Sequence, residues 1–388
     1  MKRVVFFLFS LFFFCFSVYA EEFDITGEYV SLYNMNEDML IYSKNDTKKT
    51  SIASLTKMMT TLVAIENIDD LEKVITIKER DFDGTVGYSK AGFSVGDKVT
   101  YLDLLYGIIL PSGADAVNAI VNNTLGYNSF IKKMNETAKK IGMNDTSFAN
   151  PIGKEDENNY STSSDIAKLL KYALKNETFK KVFTTKSYKT SNGINLESTV
   201  NSYKSILNTS EILGAKSGFT KNAGRCLASI TTLNGVDYLL VVINSSTSSP
   251  SNAVKDTITI YDYYSSNYGY KNILNDDTFI KEIPVDLSKE KTYKITGNED
   301  VNKYLKNGDE VTYEYVGSDK ITFNTKKGSK LGVVNIYNGD ELIATSNVYL
   351  ENNIEYYPIV TYVLIFIGVI FILLIIRKSK KNHRRRRR

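Results

Sequence analysis

The chain has one histidine, His383, and it stands among the basic residues at the C-terminus. That scarcity excludes most hydrolytic mechanisms from the rest of the protein. A Ser-His-Asp triad needs an imidazole as general base, and a zinc site of the His-Glu-x-x-His type needs two imidazoles as ligands. Cysteine is nearly as scarce. Cys15 falls in an N-terminal apolar segment, which leaves Cys226 alone and no intrachain disulfide in the remainder of the chain. Outside the two ends, arginine occurs only at Arg80 and Arg225. An acyl-transfer enzyme built on this chain must find its base elsewhere, and its fold must be held by a packed core.

The two ends carry targeting signals. Met1–Ala20 reads as a signal peptide: Lys2 and Arg3, then the apolar Val4–Phe16, then the small-residue exit Val18-Tyr19-Ala20. Ile359–Ile376 is an uncharged run of 18 residues. At ~1.5 Å per residue it covers about 27 Å, close to the apolar thickness of a bilayer. Tyr356, Tyr357 and Tyr362 flank one end, and Arg377, Lys378, Lys380, Lys381 and Arg384–Arg388 flank the other. Positive residues stay on the cytoplasmic side. The expectation is a transmembrane helix over 356–376, a cytoplasmic tail over 377–388, and residues 21–357 outside the cell membrane.

Charge divides the same way. Of the 48 lysines and arginines, two lie in the signal segment and nine in the tail, leaving 37 against all 44 acids, a net of −7. The basic balance therefore belongs to the tail, and nothing outside it points to nucleic acid. The 337 residues from 21 to 357 exceed what one core serves, so two domains are expected.

Residues 26–44 read as a hairpin, 52–66 as a helix, and 103–123 as a helical stretch broken at Pro111-Ser112-Gly113. Further helical patterns occur near 128–141, 164–176 and 254–266. Two apolar strands, Cys226–Thr232 and Val236–Ile243, are joined across Asn234-Gly235, a two-residue hairpin turn signal. After about Asn275 the pattern changes to short alternating segments separated by Gly, Asn and Asp. A small all-β module is expected over 276–352.

A base is available in Ser54-Leu55-Thr56-Lys57. Residues i and i+3 of a helix share a face, so hydroxyl and amine can meet. Lys57 is the only charged side chain from Ile52 to Ile65. Desolvation there would lower its pKa, and a neutral lysine beside a serine is a workable general base. The spacing alone decides little, because Ser129–Lys132 and Ser288–Lys291 share it; these two read as chance pairs on solvated surfaces. Ser112, between Pro111 and Gly113, reads as a hydroxyl presented on a turn, and alone is equally an ordinary turn serine. Lys216-Ser217-Gly218 precedes the apolar strands. It could offer a carboxylate a cation and a hydroxyl, with glycine admitting a substrate backbone.

Taken together, Ser-x-x-Lys, Ser-Gly-x and Lys-Ser-Gly resemble the penicillin-binding and serine β-lactamase superfamily. Ser51–Met59, Leu104–Ala116, Phe148-Ala149-Asn150-Pro151-Ile152-Gly153, Tyr160–Asp165 and Gly214–Leu227 narrow the resemblance to the low-molecular-mass D-alanyl-D-alanine carboxypeptidases, over about residues 25–270. The resemblance implies an α+β fold: a penicillin-binding/β-lactamase-like domain over 21–275, with an antiparallel sheet packed with helices and a helical subdomain. The β module and membrane anchor would come after it.

It also implies roles. Ser54 would be the acylated nucleophile, Lys57 its base and Ser112 a proton relay. Lys216, Ser217 and Gly218 would bind the terminal carboxylate of a peptidoglycan stem peptide ending in D-Ala-D-Ala. The N–H of Ser54 and one from the strand after Lys216 would form the oxyanion hole. Asp165 and Thr220 would support the site. No metal or cofactor is implied, and β-lactam antibiotics would be covalent inhibitors. Two departures stand out: Ala114 where the second motif usually has Asn, and Ser217 where the third usually has Thr. The alternatives are a β-lactamase-like hydrolase and a catalytically weak, membrane-anchored wall-binding protein.

Overall fold

The computed structural model describes residues 23–386, and of 360, 361 and 379–386 the backbone only. The expected signal peptide at Met1–Ala20 and the last two arginines of the tail lie outside the described residues. The chain divides into two compact units between Ser266 and Asn267, somewhat before the expected boundary at 275.

The first unit opens with the hairpin β1 (Tyr29–Asn34) and β2 (Met39–Lys44). A short 3-10 turn, Ala53–Leu55, leads into α1 (Thr56–Asn67). The small pair β3 (Val74–Thr76) and β4 (Lys98–Thr100) precedes α2 (Tyr101–Ile109), α3 (Ala114–Asn123), α4 (Tyr127–Ile141), α5 (Ser163–Ala173) and α6 (Glu177–Thr184). A second small pair, β5 (Ser187–Lys189) and β6 (Asn195–Glu197), comes before the long strands β7 (Gly214–Thr220), β8 (Gly224–Leu233) and β9 (Val236–Ser245). Helix α7 (Asn252–Asn267) closes the unit.

The main sheet is antiparallel with order β2-β1-β9-β8-β7, so the first hairpin joins the last. Strand β9 is apolar almost throughout because the sheet is covered on both faces. Ser31, in register with Val241, bonds Ser163 of α5 at 2.8 Å. Ser229, in register with Leu240, bonds Tyr261 of α7 at 2.9 Å from the other face. The turn Asn234-Gly235 has positive φ at both residues, 51° and 79°, as a tight hairpin with this sequence requires. Helix α7 is tied to the start of the chain by the buried Asp256 carboxylate, which accepts from Gly27 N and from the hydroxyls of Thr26 and Ser245.

Helix α1 runs through the main core with Met58, Met59, Leu62 and Val63 at most 1 % exposed. It is surrounded by α2, α3, α4, α5 and α6, which is why its apolar character extends all round. β7 is one of the two edge strands of the sheet, and the 3-10 turn that carries Ser54 packs against it.

The second unit is β-rich. β10 (Tyr268–Leu274) pairs with β13 (Val301–Lys306), and β11 (Phe279–Pro284) with β12 (Thr292–Thr296). β14 (Val311–Gly317), β15 (Lys330–Asn338) and β16 (Glu341–Tyr349) form a three-stranded meander. Their inward residues, among them Ile283, Ile295, Val334 and Ile336, make a separate small core.

Helix α8 (Ile359–Arg386) runs without a break through the apolar run and into the basic residues expected as a separate tail. Among the described residues no helix is long and apolar enough to cross a membrane. The large side chains of α8, Phe366 and Phe371 among them, are exposed.

Candidate active site

Ser54 lies in the 3-10 turn and Lys57 in the first turn of α1. Lys57 is 1 % exposed. Its Nζ donates to Ser54 Oγ at 2.9 Å and to the Ile152 carbonyl at 2.7 Å. Burial lowers its pKa from the ordinary lysine value to about 7, against the opposing pull of the Asp115 carboxylate. Near pH 7 a large share of Lys57 is therefore neutral. The Ser54 contact can then run in reverse, with the hydroxyl donating to the amine lone pair.

The Ile152 carbonyl is presented by a segment that folds on its own side chains. Asn150 Oδ1 accepts from Gly153 N and Lys154 N, and Asn135 bonds both backbone groups of Phe148. Thr60 Oγ1 donates to the Pro151 carbonyl at 2.6 Å. Gly153 has φ 79°, and a Cβ there would lie 2.1 Å from the Ala53 carbonyl oxygen. Only glycine lets this segment pass under the Ser54 turn. Ala53 itself, next to Ser54, has φ 46°, and Ser112 has φ 65°. Both serines thus stand at or beside positive-φ residues, the kind of backbone strain that gathers at functional sites.

Ser112 lies between α2 and α3, 5 % exposed, and accepts from Lys216 Nζ at 2.9 Å. Lys216 comes from β7, is fully buried, and also donates to the Ser217 carbonyl at 2.7 Å. Burial, with Lys57 nearby as a like charge, pushes its pKa well below the ordinary lysine value. Its nitrogen is thus engaged by Ser112 and its own strand. Ser217 Oγ pairs with Thr199 Oγ1 at 2.6 Å. Gly218 brings the β7 backbone against the Ser54 turn, where a Cβ would lie 3.1 Å from Ser54 N. Thr220 ends β7, and its hydroxyl accepts from Ala223 N at 3.1 Å.

Ser54, Ser112, Ser217, Gly218 and Thr220 all line one cleft of about 520 Å³, a size ordinary for a small-ligand site. Asp165 does not. It is 2 % exposed in the first turn of α5, and its carboxylate accepts from Asp145 N, Thr146 Oγ1 and Lys168 Nζ. Its work is to hold the 145–146 turn on α5. Ala114 is also outside the cleft lining and fully buried, with its N–H on the Ser89 carbonyl.

Sequence reasoning did not find Thr199, the Ile152 carbonyl or Asp115. Asp115 is 1 % exposed and fixes the loop opposite β7 by accepting from Ala91 N and Gly92 N. Its position directly after the second motif was an available signal. Thr199 comes after a two-strand ribbon with no pattern of its own, and a carbonyl leaves no trace in residue type.

Among the described residues no cluster of His, Cys, Asp and Glu could hold a metal ion. What the arrangement can do is nucleophilic acyl transfer: a serine with a desolvated amine on one side, and a second serine–lysine pair across the cleft.

Residues 17–247 match the D-alanyl-D-alanine carboxypeptidase family, and residues 268–356 match the penicillin-binding protein 5 C-terminal domain. The chain is 28 % identical over 330 residues to the D-alanyl-D-alanine carboxypeptidase DacF of Bacillus subtilis, covering 83 % of this chain and 84 % of that one. It is 33 % identical over 227 residues to a D-alanyl-D-alanine carboxypeptidase of Streptomyces sp. K15, covering 54 % of this chain and 78 % of the other. The crystal structure of penicillin-binding protein 5 from Haemophilus influenzae superposes with TM-score 0.63 at 22 % identity, covering 87 % of this chain and 99 % of its own, which is a likeness of fold.

Proposed function

The chain belongs to the D-alanyl-D-alanine carboxypeptidase family and is a serine peptidase that removes the terminal D-alanine from peptidoglycan stem peptides; from that premise we propose how its residues divide the work. Lys57, as the neutral amine, takes the proton of Ser54. Ser54 Oγ then attacks the carbonyl carbon of the penultimate D-alanine. Negative charge on the carbonyl oxygen is met by the backbone N–H of Ser54 and one from β7. The C–N bond breaks as Ser112, backed by Lys216, passes its proton to the departing D-alanine amine and regains one from Lys57, which returns to the neutral amine. Water then attacks the ester as Lys57 accepts its proton, the bond to Ser54 Oγ breaks, Lys57 returns the proton to that oxygen, and the shortened peptide leaves.

The observation that carries this reading is the 2.9 Å contact between Ser54 Oγ and a lysine that is 1 % exposed. A lysine in water would be protonated and useless as a base at neutral pH. The test is release of D-alanine from a D-Ala-D-Ala peptide, with Ser54→Ala expected to abolish it. Retained release by that variant would overturn the assignment. The same chemistry predicts β-lactam antibiotics as slow substrates that acylate Ser54.

We further propose that α8 anchors the protein as a single-pass membrane helix, with the catalytic unit outside the cell and the basic end in the cytoplasm. What supports it is the 18-residue uncharged run Ile359–Ile376 between a tyrosine-rich flank and a basic one. Protease added to intact cells should remove the catalytic unit and spare the tail; digestion of the tail from outside would contradict the orientation.

A further inference from the structure

A carboxypeptidase must recognise the free carboxylate at the end of its substrate. The two lysines of the site are poorly placed for that task. Lys57 is committed to Ser54 and the Ile152 carbonyl, and Lys216 to Ser112 and the Ser217 carbonyl. Three other cations line the cleft: Lys154, Lys221 and Arg225. The two lysines are exposed, whereas Arg225 is built into the wall.

The sheet register explains where Arg225 stands. On β7, Ser217 and Phe219 share a face, because strand side chains alternate. Arg225 of β8 is the direct partner of Phe219. It is therefore the diagonal neighbour of Ser217 on that face, at a backbone separation of about 7–8 Å that a long side chain spans. The guanidinium carbon lies 3.9 Å from the centroid of the Phe219 ring, so the fork is held over an aromatic face. No carboxylate pairs with it among the described residues. Its Nε is buried without a hydrogen-bond partner, one of two such side-chain atoms there. A buried guanidinium nitrogen with no partner is costly, unless a ligand supplies the acceptor. Glu155, the acid on the same cleft, is turned to the Asn222 N–H at 2.7 Å.

We propose that Arg225 recognises the α-carboxylate of the terminal D-alanine, in concert with the paired hydroxyls of Ser217 and Thr199. Arginine suits the role because its planar fork meets both oxygens of a carboxylate and keeps its charge where lysines lose theirs. The inference rests on Ser54 and Lys57 being the nucleophile and base of this cleft, and it makes Arg225 a specificity-determining residue.

The test compares kcat/KM on a peptide ending in D-Ala-D-Ala with kcat/KM on the same peptide capped as the C-terminal carboxamide. The wild type should prefer the free acid. Arg225→Gln should lower kcat/KM on the acid about 10- to 100-fold, the range for one hydrogen-bonded charge, and leave the carboxamide nearly unchanged. Lys221→Gln should keep the wild-type ratio. Arg225→Lys, which keeps the charge and loses the fork, should fall between, and it carries the test if the Gln variant does not fold. An unchanged acid-to-amide ratio in a folded Arg225 variant would overturn the proposal and leave the Ser54–Lys57 chemistry standing, as would equal losses on both peptides. A wild type that cleaves neither peptide would overturn both.

Discussion

Three places in this chain have a lysine three residues after a serine, and they differ in one respect that decides everything. Ser54 and Lys57 stand where α1 enters the core. Ser129 and Lys132 lie on the outer face of α4, where the Lys132 side chain is 79 % exposed and its nearest acid is Glu136 at 4.0 Å. Ser288 and Lys291 belong to the β-rich unit. Ser288 is buried there, contrary to its expected place on a solvated surface, but its hydroxyl is taken by the Glu290 carbonyl and Lys291 points to water. The spacing is the same in all three. Only burial of the amine turns the pair into nucleophile and base.

The comparison can be broken most severely at Lys57. Lys57→Arg replaces a base that can be neutral with a cation that cannot, and should slow acylation by at least about 10²-fold. Lys132→Arg and Lys291→Arg should leave the rate unchanged. Near-normal acylation by Lys57→Arg, measured with a β-lactam reporter, would show that burial of this lysine is only structural.

The next largest effect lies in what supports the pair. Gly153→Ala puts a Cβ into the Ala53 carbonyl and a non-glycine residue at φ 79°. It should cost about 2–4 kcal/mol of stability from backbone strain and overpacking together, read as a lowered Tm. A variant of unchanged Tm would mean that the Asn150–Gly153 segment does not need to pass so close. No glycine of comparable constraint flanks Ser129, since the nearest, Gly126, has nothing near its Cβ position.

A smaller effect sharpens the comparison through pH. Lys57 is protonated below about 7 and neutral above it, so acylation should rise with pH through about 7 and then level off. Stopped-flow acylation across pH 5–9, a range centred on that value, would show it. A rate still climbing steeply at pH 9 would match an ordinary exposed lysine instead. The smallest effects belong to the control pairs. Lys132→Ala and Ser129→Ala should change stability by no more than about 0.5 kcal/mol, because exposed helix positions carry little.

Much of this is legible from residues alone. The apolar run around Lys57 points to its desolvation, Asn234-Gly235 to the hairpin, and Pro111-Ser112-Gly113 to the break that presents Ser112. What is not legible depends on contacts between distant segments. The contact between Lys216 and Ser112 joins residues 104 apart, and neither one's sequence neighbours announce it. Asp165 looks like a first-turn carboxylate and proves to be buried glue for residues 145–146. The short pairs β3–β4 and β5–β6, three residues per strand, are too brief for alternation to register. Helix α8 continues past the apolar run because lysine and arginine are good helix formers, so a change in polarity is no end signal.

The most direct test of the account is to incubate the protein with penicillin, digest it and map the adduct. The account predicts a stoichiometric acyl group on the peptide containing Ser54 and none on those containing Ser129 or Ser288. Acylation at either of the other two serines, or no adduct at all, would contradict it.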